Sequence, residues 1–254
     1  VTRYTYGDSD LAAERLALVA ATFEPTTRAF LEAAGPAQPS LALDLGCGPG
    51  LTTRLLHATL GAERTIGVDA STAYVGRAGT GAPEGVTFVE HDVTRLPLPG
   101  APAGAIYARL LLAHLADPPS VVARWATQLV PEGVLLVDDL EAIDTDEPAC
   151  RAYLEEIAVP VVRSQGGVLF VGPALNAMPD PPRTERVHDA VASFAPPAAT
   201  SARIFAMNLA VLTERGEIAP RPDLAAELEA IASGRAHGEP VTWRMRQLAL
   251  RRLG

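Results

Sequence analysis

Lysine is missing from this chain, and all 21 basic residues are arginine. A phosphate loop of the Walker type, which ends in Gly-Lys-Ser or Gly-Lys-Thr, is therefore excluded. Cysteine is almost as scarce. Cys47 and Cys150 stand alone, too few for a disulfide framework and without metal-ligand spacing. No stretch reaches the eighteen or so uninterrupted apolar residues of a membrane-spanning helix. The opening VTRYTYGDSD lacks the apolar core of a secretory signal, so a cytoplasmic location is expected. Positive charge is outnumbered: 21 basic against 30 acidic residues leave a formal net charge of -9. Nucleic acid and membrane are thus disfavoured as partners, and a small-molecule substrate is expected. Repeats and low-complexity tracts are absent apart from heavy use of alanine and proline, a bias that fits a GC-rich bacterial genome.

What is present has the composition of a globular protein, with 48% hydrophobic and 20% charged residues. Ser9 and Asp10 are placed to cap a helix whose apolar residues Leu11, Leu16, Val19 and Phe23 recur at helical spacing. Pro25 is expected to break it and to start a second short helix reaching Ala34, followed by a linker containing Gly35, Pro36 and Pro39. Apolar runs at 41–45, 65–68, 86–89, 105–108 and 134–137 then alternate with helical or loop segments. Such alternation predicts a doubly wound α/β fold: a mostly parallel sheet with helices on both faces. After Glu141 the alternation lapses. A helix is expected over 147–162, then Gly166-Gly167, an apolar segment at 168–171, a proline-rich connection at 179–182, a strand at 183–191, helices at 198–212 and 224–233, and a last strand at 241–250.

The most informative segment is Leu43-Asp44-Leu45-Gly46-Cys47-Gly48-Pro49-Gly50, which leads from a buried strand directly into a helix over 51–60. Glycines there let the backbone approach a ligand, and the helix start offers unpaired N–H groups to an anionic one. The dinucleotide fingerprint G-x-G-x-x-G needs its third glycine at position 51, which is Leu51. An NAD-dependent oxidoreductase is thereby disfavoured. Asp44, Gly46, Gly48 and Gly50 instead fit E/D-x-G-x-G-x-G. This pattern resembles motif I of the class I S-adenosylmethionine-dependent methyltransferases, and the resemblance continues in register through residue 141.

That resemblance implies a Rossmann-like methyltransferase fold with S-adenosylmethionine as cofactor. The methionine end of the cofactor would lie against Gly46, Cys47, Gly48 and Gly50, with Asp44 supplying negative charge towards its ammonium group. Asp69, next to Ala70 at the end of the second strand, would accept the ribose hydroxyls, with a helix cap formed by Asp69 and Ser71 as the alternative. Asp92 and the backbone of Val93 would meet the adenine. Arg109, ending the fourth strand, would contact the methionine portion or an anionic substrate group, or else pair with Asp138. His114, shortly after, has a pKa suited to a general base, and a packed ring is the alternative. Tyr4 and Tyr6 belong to an N-terminal segment that in related enzymes often folds over the cofactor, which would bring an aromatic hydroxyl near the sulfonium and makes Tyr6 a second catalytic candidate. His57, His91, His188 and His237 form no cluster, so no metal is expected; Asp138 and Asp139 could orient substrate, bind a metal or cap the segment after the fifth strand.

The chain is accordingly read as one domain: an N-terminal helical cap (1–40), a cofactor-binding core (41–141), a substrate lid (142–182), and final strands and helices (183–254) with an antiparallel end. The expected activity is methyl transfer to a small-molecule oxygen or nitrogen nucleophile of natural-product type. A cofactor-binding enzyme with a non-methylating reaction and a non-catalytic scaffold are the alternatives, and association into a homodimer is left open.

Overall fold

The structure, a computed structural model, describes residues 5–254. Helix α1 (Asp10–Ala34) starts at Ser9, whose hydroxyl accepts the N–H of Ala12 at 3.3 Å. It runs through Pro25 without a break, which corrects the expectation of two helices. A proline removes one backbone hydrogen bond and crowds the preceding turn. Here the buried face formed by Val19, Phe23, Thr27, Phe30 and Leu31 continues on both sides of it and holds the two halves in line.

The sheet contains β1 (Leu41–Leu45), β2 (Arg64–Asp69), β3 (Val86–Glu90), β4 (Ala103–Arg109), β5 (Leu129–Thr145), β6 (Thr184–Phe194) and β7 (Val241–Arg252), in the order β3-β2-β1-β4-β5-β7-β6. The first five are parallel, and β7 is antiparallel to both of its neighbours. Every residue of β1 is buried, as expected for a strand covered on both faces. Helices α2 (Leu51–Leu60), α3 (Thr72–Gly79) and α4 (Pro118–Ala126) make the crossovers. The strand order reverses between β1 and β4, and in open α/β sheets ligands bind outside the carboxyl ends of the strands at such a point.

Strand β5 is far longer than its apolar run at 134–137. Residues 142–145, expected to open the lid, are its last part and pair with Arg244, Trp243, Thr242 and Val241 of β7. The helical stretch beyond it is α5 (Pro148–Ala152), a π-helical turn (Tyr153–Ala158) and α6 (Val159–Ser164). The apolar segment 168–171 is no strand; it leads into α7 (Gly172–Ala177). Helices α8 (Ala198–Glu214) and α9 (Pro222–Ala232) lie between β6 and β7 in sequence. A core of α1, the π turn, α8, α9 and β7 includes Phe23, Tyr153, Phe205, Leu228 and Trp243, and supports the side of the molecule away from β3. No helix among the described residues is long and apolar enough to cross a membrane.

Candidate functional site

A cavity of about 480 Å³ opens at the carboxyl ends of the parallel strands. Its first end is built by the turn between β1 and α2. Gly46 and Cys47 both donate their N–H to the carbonyl of Val68, at 2.8 and 3.1 Å, which curls the turn towards β2. Gly46, Gly48 and Gly50 have φ of 69°, 51° and 80°, the left-handed region where glycine carries no Cβ penalty. Gly48 lines the cavity, and a Cβ there would meet only Leu16 Cδ1 at 3.4 Å. Its bareness serves the cavity, where backbone can approach a ligand, and not the packing behind it.

Asp69 closes this cradle. Its Oδ2 accepts the N–H of Gly48 at 2.8 Å and its Oδ1 that of Ser71 at 2.9 Å. Each oxygen keeps a second lone pair for a ligand hydroxyl. Burial pushes its carboxyl above the usual range, while the Ser71 and Gly48 N–H groups oppose the rise. Ala70, Asp92 and Val93 continue the same wall. Asp92 is held below the ordinary carboxylate range by the Thr94 hydroxyl, which donates to it at 2.6 Å. The Val93 carbonyl is occupied by the Trp125 indole N–H at 2.8 Å.

Two residues of the glycine motif stand behind the wall. Asp44 is buried beneath the turn and accepts the Thr53 hydroxyl at 2.7 Å; burial raises its pKa to about 6, with Thr53 opposing. Gly50 faces packing: a Cβ would lie 2.7 Å from the Phe88 ring and 2.8 Å from Arg54. The Arg54 guanidinium ties Gly50 O (3.0 Å) to Ala78 O (2.8 Å), so the turn and the end of α3 share one clamp. Tyr4 lies outside the described residues.

Beyond β4 the cavity changes character. Arg109 lines it and donates to Thr27 Oγ1 at 3.0 Å, and Thr27 donates to Asp138 at 3.0 Å. Arg109 and Asp138 are thus linked through a hydroxyl, and Asp138 also accepts from Tyr107 and Gln247, each at 3.3 Å. Asp139 accepts the N–H groups of Leu111 (3.1 Å), Leu112 (2.9 Å) and Leu140 (2.9 Å). It caps the short 3-10 turn Leu112–His114, and burial lifts its pKa to about 7. No group of ligands that could hold a metal occurs among the described residues.

His114 sits half-buried in the cavity wall, its ring edge-on to Tyr6 at 6.1 Å. Desolvation, and to a lesser degree the charge of Arg15, push its pKa down to about 4, so the ring is neutral at ordinary pH. The same cavity is lined by residues that sequence reasoning missed: Arg15, Tyr153, Phe205, Asn208 and Trp243. The Arg15 guanidinium lies 4.0 Å over the Tyr6 ring and donates through Nε to Asn208. The hydroxyls of Tyr6 and Tyr153 approach to 3.5 Å, and Tyr153 stacks on Phe205 at 4.7 Å. The π turn brings Tyr153, Leu154 and Ala158 together onto the cavity, a widening of the helix that is frequent at functional sites. One signal was available for Arg15: it is a charged residue on the apolar face of α1.

The sheet order, the reversal at β1 and β4, and the glycine cradle with an acid at the end of β2 define the Rossmann-like methyltransferase architecture. Comparison with known proteins agrees. Residues 43–137 match the methyltransferase domain family. A trans-aconitate 2-methyltransferase of Yersinia pseudotuberculosis is 38% identical over 117 residues, 46% of this chain and 44% of that protein. Its counterpart in Klebsiella pneumoniae is 37% identical over 95 residues, 37% of each chain. These matches span less than half the length of the relatives. Among solved structures, a putative type II methyltransferase of Anaeromyxobacter dehalogenans superposes with a TM-score of 0.58 at 20% identity, over 91% of this chain and 96% of that one. The [4+2]-cyclase SpnF does so with 0.56 at 19%, over 91% and 82%. Residues 43–137 thus carry a methyltransferase domain, and the fold around them is that of the class I, Rossmann-like methyltransferases.

Proposed function

We propose that the protein methylates a small, largely apolar acceptor at an oxygen or nitrogen atom. The observation that carries this reading is the continuity of one cavity from Gly48 and Asp69 to an end walled by Tyr6, Phe23, Tyr153, Phe205 and Trp243. S-adenosylmethionine supplies a methyl group on positively charged sulfur, already activated for displacement. The chain's own task is then placement and exclusion of water. On this reading the turn at Gly46, Cys47 and Gly48 receives the methionine end, Asp69 with Ala70 the ribose, and Asp92 with Val93 the adenine. Asp44 acts from behind the turn as a buried negative charge, and Arg109 faces the carboxylate of the methionine portion. The aromatic end holds the acceptor, and His114 takes the proton that the acceptor's hydroxyl or amine loses as the new carbon–oxygen or carbon–nitrogen bond forms.

A second reading, a carboxylate acceptor, is favoured by the relatives' name and by Arg15, Arg109 and Arg215 in the same wall. Such a nucleophile is ionised at neutral pH and needs no base. The test incubates the protein with methyl-labelled S-adenosylmethionine and a panel of ring-bearing phenols and amines beside small carboxylic acids, trans-aconitate included. Label in the phenols or amines supports the first reading, and label confined to the acids replaces it by the second. Calorimetry with S-adenosylmethionine and NAD side by side checks the donor. Tight cofactor binding with no methylated product from any class points to a non-methylating reaction.

A further inference from the structure

Three separate parts of the chain meet at His114. The 3-10 turn bearing it is held from β5 by Asp139, which accepts the N–H groups of Leu111 and Leu112. The segment after α6 docks on the same turn, with Val168 donating to Ala113 O at 3.1 Å. The residues before α1 supply Thr5, whose Oγ1 lies 3.1 Å from His114 Nδ1 and 2.5 Å from Gln165 Oε1. Thr5 is 2% exposed.

Proton counting decides what this chain of contacts does. A threonine hydroxyl has one proton to donate. Gln165 Oε1 is an acceptor only, so the Thr5 proton is directed to it, and Thr5 Oγ1 has only lone pairs to offer His114. Nδ1 must then be the donor. A neutral imidazole carries one N–H, and the partner of one nitrogen sets the state of the other. We propose that Thr5 and Gln165 are positioning residues that hold His114 with its proton on Nδ1, which makes Nε2 the nitrogen bearing the lone pair. Imidazole in water prefers the opposite arrangement, so the relay overrides an intrinsic preference. Because Thr5 precedes α1 and Gln165 follows α6, the assignment holds only while both segments lie against the turn. It deepens the reading of His114 as proton acceptor and rests on that reading for its catalytic consequence, whereas the tautomer itself is observable without turnover.

The experiment is long-range proton–nitrogen correlation NMR of the full chain labelled with 15N-histidine at neutral pH, with His114→Gln identifying the His114 signals. In the wild type, Nδ1 should appear protonated and Nε2 unprotonated. Thr5→Val keeps the side-chain shape without the hydroxyl and should move the proton to Nε2, while Thr5→Ser should restore the original form. Gln165→Leu, at a half-buried position, frees the Thr5 proton for Nδ1 and should give the same switch without touching Thr5. With a hydroxyl acceptor, Thr5→Val should lower kcat by at least about tenfold, part of what a general base contributes, with the KM for S-adenosylmethionine unchanged. A wild-type ring protonated on Nε2 overturns the assignment, as does a tautomer unmoved by both Thr5→Val and Gln165→Leu. The expected tautomers with no label in any hydroxyl or amine leave the relay standing and count against the proposed reaction alone.

Discussion

Gly167 lies so close to the carbonyl of Ala113 that a Cβ on it would stand 2.1 Å from that oxygen. Backbone thus packs on backbone where the end of α6 meets the His114 turn, with Gly167 N–H returned to Val162 O at 3.0 Å. Gly167→Ala must push the two apart. Turnover is expected to fall by about tenfold or more, since sub-ångström misplacement near the reacting groups is costly, while calorimetric affinity for S-adenosylmethionine stays at the wild-type value. Equal turnover in the alanine variant would show that the contact does not position His114.

Asp69→Ala removes the acceptor of two backbone N–H groups and the proposed ribose partner together. Hydrogen bonds to a charged group are each worth about 1.5–3 kcal/mol, so S-adenosylmethionine should bind roughly ten- to a hundredfold more weakly. Titration calorimetry reads this directly, and circular dichroism confirms that the fold persists. Undiminished affinity would remove Asp69 from the cofactor site.

For His114→Gln, turnover of a hydroxyl acceptor should drop by about a hundred- to ten-thousandfold, the usual contribution of general base catalysis, with cofactor affinity unchanged. With the ring's pKa near 4, wild-type kcat should be level above pH 6 and decline only on the acid side. A variant that keeps wild-type turnover would assign His114 to packing and favour a carboxylate acceptor.

Asp44 gives the unliganded protein a measurable pH dependence. Its pKa rises from 3.8 to about 6 through burial. The folded chain therefore holds this proton more tightly than the unfolded chain. The resulting stability is fully present below about pH 4 and is lost as pH climbs to about 6. His114, whose pKa is depressed, acts in the opposite sense: its contribution is present above pH 6.5 and lost towards pH 4. Urea unfolding of Asp44→Asn across pH 4–7 should show a weaker decline with rising pH than the wild type, by an amount on the order of 2–3 kcal/mol over the window. Parallel curves for the two proteins would mean that Asp44 keeps its ordinary pKa.

The glycine-turn half of the candidate site was readable in the chain because it is local. Gly46 and Gly48 form one strand-turn-helix unit, and Asp69 ends the next strand, so spacing and residue type carry the geometry. Nothing comparable marks the other half. Tyr153, Phe205 and Trp243 reach the cavity from the π turn, α8 and β7, and along the chain each looks like any core aromatic. The length of β5 was hidden for a different reason. Acids interrupt its pattern, and their partners are remote: Asp138 with Thr27 and Gln247, Glu141 with Arg246, Asp144 with Arg244. Pro25 misled in the opposite direction, since local breaking tendency lost to the tertiary packing of a 25-residue helix.

That helix is a fixed wall of the cavity. At about 1.5 Å per residue α1 is about 37 Å long, and its upper half walls the cavity with Arg15, Leu16, Val19 and Phe23. Little more than one turn further on, Thr27 is bolted to the buried Asp138, and the Thr26 carbonyl receives Gln247 at 3.3 Å. A rod pinned there into the centre of the sheet cannot slide or roll without breaking those bonds. It is a fixed post in the cavity wall, and Thr5, whose hydroxyl reaches Gln165, lies just ahead of its start.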